Sequence, residues 1–394
     1  MIFLDYNHES NKMIPRLLYE RINKQLFKGK AVIITGPRQS GKTTLIQHLA
    51  NNHKKKALML NCDEPDIRQI LSDQTSSQLK RLIADTDLVL IDEAQRVRNI
   101  GLTLKLITDQ IKNVQLIVTG SSSLDLSNSI NEPLTGRKFE FQLLPISTRE
   151  MTMYTSTLEE RRLLENRLIF GMYPDVITHA GDEQDLLHNL ADSYLYKDIF
   201  AFQDIRKPEL IEKLLQALAL QVCSEVSYHE LAGTLGVNSA TVARYIELLE
   251  KTFVIFRLTA FARNLRNELK KSRKIYFYDN GIRNALIKNF NPVSLRPDAG
   301  ALWENFLVSE RKKCLLYNGI NANIRFWRTR QQQEIDYIEE KNGKILAVEF
   351  KWNPKATARF SKTFLNAYPD SATRIITPSN YIEFVSETTD NSNS

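Results

Sequence analysis

A short segment, residues 36–43, limits what this chain can fold into more than any other part of its sequence. It reads Gly-Pro-Arg-Gln-Ser-Gly-Lys-Thr and fits the pattern G-x-x-x-x-G-K-[ST] without a mismatch. The apolar, β-branched run at 31–35 predicts a buried strand before it, and the amphipathic residues 44–50 predict a helix after it. The backbone N–H groups of such a loop, together with the helix N-terminus, bind phosphate. The segment therefore predicts a nucleotide-binding loop.

The residue types in this loop have separate parts in the expected chemistry. The glycines let the backbone fold around phosphate, Lys42 reaches the β- and γ-phosphates, and the Thr43 hydroxyl ligates Mg²⁺. The predicted cofactors are therefore ATP and Mg²⁺. The predicted nucleotide contacts in this segment are Gly36, Pro37, Arg38, Gln39, Ser40, Gly41, Lys42, Thr43 and Thr44.

Two carboxylates end another apolar run. Runs 57–61, 88–93 and 116–121 alternate with helical patterns, which predicts a mostly parallel sheet covered on both faces. Asp92 and Glu93 then reach the carboxyl edge of the sheet, where open α/β proteins bind ligands. We expect Asp92 to hold Mg²⁺ through water and Glu93 to orient or deprotonate the attacking water.

Thr119 and Ser121 end the next strand and allow two interpretations. Their hydroxyls either hydrogen-bond the γ-phosphate or the attacking water, or they simply cap the strand end. The sequence leaves both interpretations open.

Composition and charge narrow the class of protein. A chain of 394 residues is long enough for two to four domains. No apolar run reaches the ~18 residues of a membrane-spanning helix, and the first residues do not resemble a signal peptide. Three cysteines without pairing or metal-ligand spacing fit a reducing compartment, so we expect a cytoplasmic location. The net charge of +7 permits a polyanionic partner.

These motifs resemble a prokaryotic AAA-type ATPase family (AAA+/STAND-like) in which the P-loop core is followed by DUF4143, a domain of unassigned function. The segments that carry the resemblance are 36–44, 90–95, 118–122, 134–137 and 145–147, in the order of the family. The resemblance covers nearly the whole chain and implies a homo-oligomeric ATPase.

The resemblance also implies a role for Arg137, which matches the Gly-Arg pair before the last core strand, 139–143. An arginine at this place would be a finger that reaches the γ-phosphate of a neighbouring subunit. A structural salt bridge, or a sensor role within the same subunit, is the alternative. Two further similarities, segments 171–174 and 194–199, suggest only packing or lid elements.

Residues 226–249 have the layout of a helix-turn-helix. Ser227 is expected to cap the first helix, Gly236 to form the turn, and Asn238 or Ser239 to cap the second. A strand at 253–258 follows, as in a winged helix. The candidates for base contacts are Asn238, Thr241 and Arg244, and the basic residues of the wing are Arg257, Arg263, Arg266, Lys270, Lys271, Arg273 and Lys274.

This basic wing predicts DNA binding with little sequence specificity, through the phosphate backbone. Winged helices also bind proteins, and that alternative stays open.

The last part of the chain carries a second set of acidic residues. Glu304 lies on a predicted helix and Asp336 on a predicted strand, and Glu349 and Lys351 share one face of the next strand. This order resembles the PD-(D/E)xK nuclease fold, in which the acids would share Mg²⁺ and Lys351 would activate water. The alternative is a domain that keeps the fold without cleavage. Nearby arginines that could hold a phosphate backbone are Arg325, Arg328 and Arg330.

The predicted fold class is α/β: a P-loop NTPase parallel sheet, then a helical and winged-helix region, then a restriction-endonuclease-like α/β domain. The predicted parts are an ATPase core (1–149), a helical lid or linker (150–205), a winged helix-turn-helix (206–274), a nuclease-like domain (275–385) and a disordered tail (386–394). The predicted function is that of an ATP-hydrolysing AAA-type ATPase that acts on DNA. The competing hypothesis is a signalling or defence switch whose C-terminal domain binds protein.

Overall fold

The first part of the chain forms a five-stranded parallel sheet with helices on both faces. The computed structural model describes residues 13–121, 130, 133–195, 208–261, 273–357 and 359–387. The sheet order is β2-β3-β4-β1-β5, and every neighbouring pair is parallel. Its elements are α1 (Leu18–Asn23), β1 (Ala31–Thr35), α2 (Lys42–His53), β2 (Ala57–Asn61), α3 (Pro65–Leu71), α4 (Ser76–Ile83), β3 (Leu88–Asp92), α5 (Ile100–Gln110), β4 (Gln115–Gly120) and β5 (Lys138–Gln142).

This sheet forms because its central strands are apolar on both sides. All residues of β3 and β4 are buried. Alternate residues of β1 enter opposite cores: Val32 lies in the same buried cluster as Leu45 of α2, whereas Ile33 lies in the cluster of Leu104 of α5. Burying an aliphatic side chain of this size contributes about 1.5–3 kcal/mol. The predicted α/β core is thereby confirmed.

A helical region follows the sheet. Its helices are α6 (Thr148–Tyr154), α7 (Thr157–Arg162), α8 (Leu164–Phe170), α9 (Pro174–Thr178) and α10 (Glu183–Asn189), then a π-helical turn (Leu190–Leu195) and, beyond residues 196–207, α11 (Pro208–Leu220). The segment 194–199, which resembles the AAA-type family, therefore extends outside the described residues.

Gly171 ends α8 where no larger residue fits. Its φ is +73°, and a β-carbon there would lie 2.0 Å from Asp279 Oδ1. Asp279 is buried and accepts hydrogen bonds from the backbone N–H groups of Met172 (2.7 Å) and Ile282 (3.2 Å). Burial raises the pKa of this carboxyl. Segment 171–174 is therefore a packing element that joins the helical region to the C-terminal part.

The helix-turn-helix has the predicted caps. Its elements are α12 (Tyr228–Leu235), α13 (Ser239–Lys251), β6 (Ile255–Thr259) and β7 (Arg273–Phe277), and β6 and β7 form an antiparallel hairpin. The Ser227 hydroxyl accepts from the N–H of Glu230, and Asn238 Oδ1 accepts from the N–H of Thr241 at 2.8 Å. Gly236 lies in the left-handed region with φ +65°. The apolar side chains Val242, Ile246 and Leu249 of α13 are buried.

The C-terminal part is a mixed sheet packed against a long helix. Its elements are α14 (Asn280–Leu286), α15 (Ala299–Asn318), β8 (Asn323–Arg328), β9 (Glu334–Lys341), β10 (Lys344–Phe350), α16 (Lys362–Ala367), β11 (Ala372–Ile376) and α17 (Tyr381–Ser386). The strand order is β11-β10-β9-β8, with β10 and β11 parallel and the other pairs antiparallel. This agrees with the predicted α/β domain. The predicted disordered tail, 386–394, is wrong at its first two residues, because Ser386 ends α17 and Glu387 pairs with Arg374 at 2.5 Å. The rest of the tail, from position 388, lies outside the described residues.

Helix α15 also contacts the segment that follows β5 of the P-loop sheet. The Tyr317 hydroxyl accepts from the N–H of Leu144 at 3.0 Å and donates to its carbonyl at 3.2 Å. Glu310 Oε2 accepts from the N–H of Thr148 at 2.6 Å, and Lys313 Nζ donates to the Ile146 carbonyl at 3.0 Å. The segment after β5 therefore lies between the sheet and the C-terminal helix.

Three predicted boundaries fall inside elements. The boundary at 149/150 lies within α6, the boundary at 274/275 within β7, which pairs with β6, and the boundary at 385/386 within α17. The boundary at 205/206 lies outside the described residues. The hairpin also meets the last sheet, where the N–H of Phe261 donates to the Phe326 carbonyl at 2.7 Å. None of the helices in the described ranges is long and apolar enough to cross a membrane.

Candidate active site

The predicted nucleotide-binding loop joins the end of β1 to the start of α2. A β-carbon on Gly36 would lie 1.9 Å from the carbonyl oxygen of Leu143, so only glycine fits there. Gly41 precedes α2 with φ +88°, in the left-handed region that glycine adopts at little cost. Both glycines of the motif are therefore required by the backbone, and the loop opens onto the N-terminus of α2.

Lys42 lies buried under this loop. Its ammonium group donates to the carbonyl oxygens of Gly36 (3.0 Å) and Pro37 (2.8 Å), and the Ser40 hydroxyl donates to the same Pro37 carbonyl at 2.8 Å. The positive charge is thus held at the loop. Oxygen acceptors satisfy it there, and phosphate oxygens are acceptors of the same kind.

Asp92 joins the loop to the neighbouring strand. It is 4% exposed, and its Oδ2 accepts a hydrogen bond from the Thr43 hydroxyl at 2.7 Å. Its other carboxylate oxygen accepts from the Thr119 hydroxyl. A hydroxyl and a carboxylate are oxygen ligands of the type that Mg²⁺ prefers. Thr43 and Asp92 therefore fit the predicted metal, directly or through water.

Glu93 follows Asp92 in a strained conformation. Its φ is +53°, a region that costs a non-glycine residue about 1–2 kcal/mol. Its backbone N–H donates to Thr119 Oγ1 at 3.2 Å, so that one threonine holds both acidic residues. The side chain Oε2 of Glu93 accepts from Gln95 Nε2 at 2.6 Å, and the same nitrogen donates to Ser121 Oγ at 2.7 Å. Strain at such a position is typical of functional sites.

The hydroxyls of Thr119 and Ser121 thus contact the acidic strand and Gln95. This arrangement is more specific than a strand-end cap, because each hydroxyl holds a side chain or backbone group of the candidate site. A contact of either hydroxyl with the γ-phosphate stays a prediction.

Arg137 lies at the other end of the sheet. It precedes β5, whose first residue pairs with Ala31 at the start of β1. Since a strand rises about 3.3 Å per residue, Arg137 is roughly 15–20 Å from the P-loop of its own chain. Its Nε lies 2.7 Å from Asp109 Oδ1. The salt-bridge interpretation fits this contact, a sensor role within the same chain does not, and the finger role stays a prediction.

Arg16 supports the loop, and sequence reasoning missed it. It is buried and donates to the carbonyl oxygens of Ser40 and Leu144, each at 2.6 Å, and to Glu150 Oε1 at 3.1 Å. Glu150 is fully buried in α6. No local pattern reveals this contact, because Arg16 and Glu150 are 134 positions apart.

Glu304 of the second acidic set is neutralised by a lysine. Glu304 Oε1 accepts from the Tyr276 hydroxyl at 2.7 Å and from Lys274 Nζ at 3.2 Å. Lys274 Nζ also lies 2.5 Å from Glu334 Oε1. Burial raises the pKa of Glu304 to about 7, the Asp336 charge adds to this, and Lys274 opposes it. Lys274 is 2% exposed, so its predicted contact with a DNA phosphate is wrong in this structure: the residue is buried between two acids.

The other predicted nuclease residues also form ion pairs. Lys351 Nζ lies 2.7 Å from Glu349 Oε2 and 4.0 Å from Asp336 Oδ2. Asp336 Oδ2 accepts from the N–H of Phe350 at 2.8 Å. Burial raises the pKa of both Asp336 and Glu349. Among the described residues, no three His, Cys, Asp or Glu side chains are grouped to hold a metal ion, and Mg²⁺ binding by these acids stays a prediction.

Several predicted phosphate contacts are engaged within the chain. Arg257 pairs with Glu250 at 2.6 Å, and the Arg273 guanidinium lies over the Tyr228 ring. Arg328 lies 3.0 Å from Glu334 Oε2. Arg325 hydrogen-bonds the Thr259 hydroxyl, and Arg330 is exposed. The wing residues Arg263, Arg266, Lys270 and Lys271 lie outside the described residues.

The first site defines a class of protein. A P-loop lysine, a hydroxyl beside a buried aspartate and a second acid at the carboxyl edge of a parallel sheet form an ATPase-type P-loop site.

Comparisons with known families agree with this class. Residues 28–152 match the AAA domain, residues 161–293 match a domain of unknown function (DUF8612), and residues 299–390 match a domain of unknown function (DUF4143). The chain is therefore an AAA-type P-loop protein with a C-terminal DUF4143 domain, as the sequence predicts. The helix-turn-helix falls in the middle match, whereas the DUF4143 match begins at the start of α15.

Similar proteins occur in distant organisms. An uncharacterized protein of Mycobacterium tuberculosis is 25% identical over 355 residues, which cover 89% of this chain and 76% of that protein. An uncharacterized protein of Methanocaldococcus jannaschii is 26% identical over 378 residues, covering 90% and 82%. Among solved structures, Aeropyrum pernix ORC1 protein in complex with DNA matches with 13% identity and a TM-score of 0.28, covering 69% of this chain and 91% of that chain. A TM-score this low supports no inference about fold or function.

Proposed function

We propose that this chain hydrolyses ATP at the P-loop site. The observation that carries the proposal is the contact of Thr43 with Asp92 at 2.7 Å, beside buried Lys42 and next to Glu93. Lys42 binds the β- and γ-phosphates, and Glu93 accepts a proton from the attacking water. Mg²⁺, when bound by Thr43 and Asp92, neutralises charge on the phosphates.

Phosphate release from ATP by the purified full chain, with and without Mg²⁺, tests this proposal. We expect Mg²⁺-dependent turnover that Lys42→Ala abolishes because nucleotide binding is lost. A wild-type chain that binds ATP tightly and never releases phosphate would contradict hydrolysis and leave only nucleotide binding.

We further propose that the protein acts on DNA and uses ATP hydrolysis to do so. The helix-turn-helix and its hairpin support this, together with the basic composition of segment 263–271 between β6 and β7. Since the described basic residues near the hairpin are largely paired, we assign the phosphate contacts to that segment. Binding should then fall steeply as salt rises.

A matched pair of variants tests the DNA proposal. Arg263→Ala/Arg266→Ala should weaken binding of the full chain to duplex, single-stranded or branched DNA and remove any DNA stimulation of ATP turnover. Lys80→Ala/Arg81→Ala removes the same charge from the exposed face of α4 and should change neither. Equal effects of the two pairs would mean that only net charge matters, and would contradict a DNA site at the wing.

A specific observation favours a second function, a nucleotide-controlled switch whose C-terminal domain binds protein. Arg16 contacts the P-loop at Ser40 and also the Leu144 carbonyl, and Leu144 contacts Tyr317 of α15. A change at the loop can therefore reach the C-terminal domain through adjoining hydrogen bonds. Hydrogen exchange of α15 that differs between ATP and ADP, with no DNA binding, would favour the switch over the DNA motor.

For the C-terminal domain we propose a nuclease-like fold that does not cleave. Lys274 and Lys351 supply the positive charge that a metal would otherwise bring to Glu304, Asp336 and Glu349. We expect linear, single-stranded and branched DNA to remain intact with Mg²⁺ or Mn²⁺. Metal-dependent cleavage that Asp336→Ala and Lys351→Ala both abolish would overturn this proposal.

A further inference from the structure

Gln95 connects two side chains of the candidate ATPase site. It lies in the short helical turn Ala94–Arg96 that follows Glu93. Its Nε2 donates to Glu93 Oε2 at 2.6 Å and to Ser121 Oγ at 2.7 Å. Because an ionised carboxylate can only accept hydrogen bonds, the nitrogen end of the amide must face Glu93. This fixes the orientation of the Gln95 side chain.

The other end of the Gln95 amide is unsatisfied. Its Oε1 atom is buried, and within the described part of the chain it has no hydrogen-bond partner. Leaving a buried acceptor unpaired costs about 1–3 kcal/mol. Such atoms in native structures are usually satisfied by water or by a ligand. The position therefore calls for an O–H or N–H donor next to the Glu93 carboxylate.

We infer that Gln95 positions both Glu93 and the attacking water. The inference rests on the proposed ATP hydrolysis and adds a residue to it. Nε2 holds the Glu93 carboxylate in place, and Oε1 accepts a hydrogen bond from the water that Glu93 deprotonates. The water oxygen forms a bond to the γ-phosphorus, the bond from that phosphorus to the β–γ bridging oxygen breaks, and its electron pair leaves with ADP. The proton passes to Glu93.

Two substitutions separate this role from simple packing. Gln95→Ala removes both ends of the amide and most of the side-chain volume, whereas Gln95→Met keeps about the same length and volume without the amide. If Gln95 only fills space, Gln95→Met should behave nearly as the wild type. If Gln95 holds Glu93, Gln95→Met should lose about as much activity as Gln95→Ala, because both variants lack the donor to the Glu93 carboxylate.

The experiment measures kcat and KM for ATP of the full chain. Gln95→Ala should lower kcat roughly 10- to 100-fold with KM changed less than about twofold, since misplacing a reacting group affects the chemical step. Within the Glu93→Gln background, Gln95→Ala should lower kcat by no more than about threefold, because residues that act as a unit are not additive. Gln69→Ala on the exposed face of α3 is the control and should match the wild type.

The possible failures are distinguishable. A wild-type kcat in Gln95→Ala, a near-normal Gln95→Met, or full additivity with Glu93→Gln would each overturn the role of Gln95 while hydrolysis stands. No hydrolysis by the wild type would overturn the proposed function itself, and the role of Gln95 with it. Thermal unfolding of each variant identifies a loss of activity that comes from misfolding, and such a loss would count against the positioning role.

Discussion

The Thr43 hydroxyl lies 2.7 Å from Asp92 Oδ2, although 49 positions separate the two residues. The parallel pairing of β1 with β4 and of β3 with β4 brings the P-loop and the acidic strand end to the same edge of the sheet. The fold therefore brings together, from two separate motifs, the pair of residues for which we propose Mg²⁺ binding.

Asp92→Asn should weaken the response to Mg²⁺. The amide still accepts one hydrogen bond but carries no charge, so we expect the Mg²⁺ concentration for half-maximal ATP turnover to rise roughly 10- to 100-fold. A Mg²⁺ titration of phosphate release measures this. Asp85→Asn, an exposed aspartate beyond α4, is the control and should keep the wild-type titration curve. Unchanged Mg²⁺ dependence in Asp92→Asn would exclude Asp92 from metal binding.

Arg137 and Asp109 form a pair whose two halves can be tested separately. If Arg137 is a finger in trans, Arg137→Ala should lower hydrolysis by roughly 10³-fold or more while ATP binding persists. Asp109→Ala breaks the same salt bridge and should leave hydrolysis near normal. Mixing Arg137→Ala with Glu93→Gln subunits should restore some activity. If both alanine variants behave alike, Arg137 has only a structural role, worth about 1 kcal/mol or less for an exposed pair.

Arg16 should be important for both stability and nucleotide binding. Arg16→Met leaves Glu150 buried without its charge partner, which costs about 3–5 kcal/mol of the free energy of unfolding. It also removes the hydrogen bond to the Ser40 carbonyl, so ATP affinity should fall. Urea unfolding and ATP titration measure the two effects. Arg16→Lys keeps the charge without the planar guanidinium and should restore only part of both. Wild-type stability in Arg16→Met would refute this assignment.

Glu304 should make stability depend on pH. Its pKa in the folded chain is raised from 4.5 to about 7 by burial and by Asp336, against the opposing charge of Lys274. Between about pH 4.5 and 7 the folded state therefore holds more protons than the unfolded state, so this group lowers stability as pH rises and has no further effect above pH 7. The Tyr276 hydroxyl also faces the Glu304 carboxyl, to which it donates a hydrogen bond. Glu304→Gln should reduce the fall in unfolding free energy between pH 5 and 7.5; exposed Glu165→Gln should not.

The sequence could predict those features that are determined by residues next to one another in the chain. The P-loop, the acidic strand end and the caps Ser227 and Asn238 follow from neighbouring residues, and each lies where predicted. Gln95 was visible only as part of a motif, because its hydrogen bond to Ser121 joins the turn after β3 to the residue after β4. Lys274 looked like a wing residue, since nothing in its surroundings reveals burial between two acids from other elements. The roles of Gln95 and Lys274 depend on contacts between segments that are distant in the sequence.

We propose that Glu93 takes part in ATP hydrolysis and is not needed for ATP binding. The most direct measurement compares the ATP affinity and the rate of ATP turnover of the wild type with those of Glu93→Gln. We expect the variant to bind ATP with wild-type affinity and to turn over at least ~100-fold more slowly, the usual effect of losing a general base. Near wild-type turnover in Glu93→Gln would contradict the account.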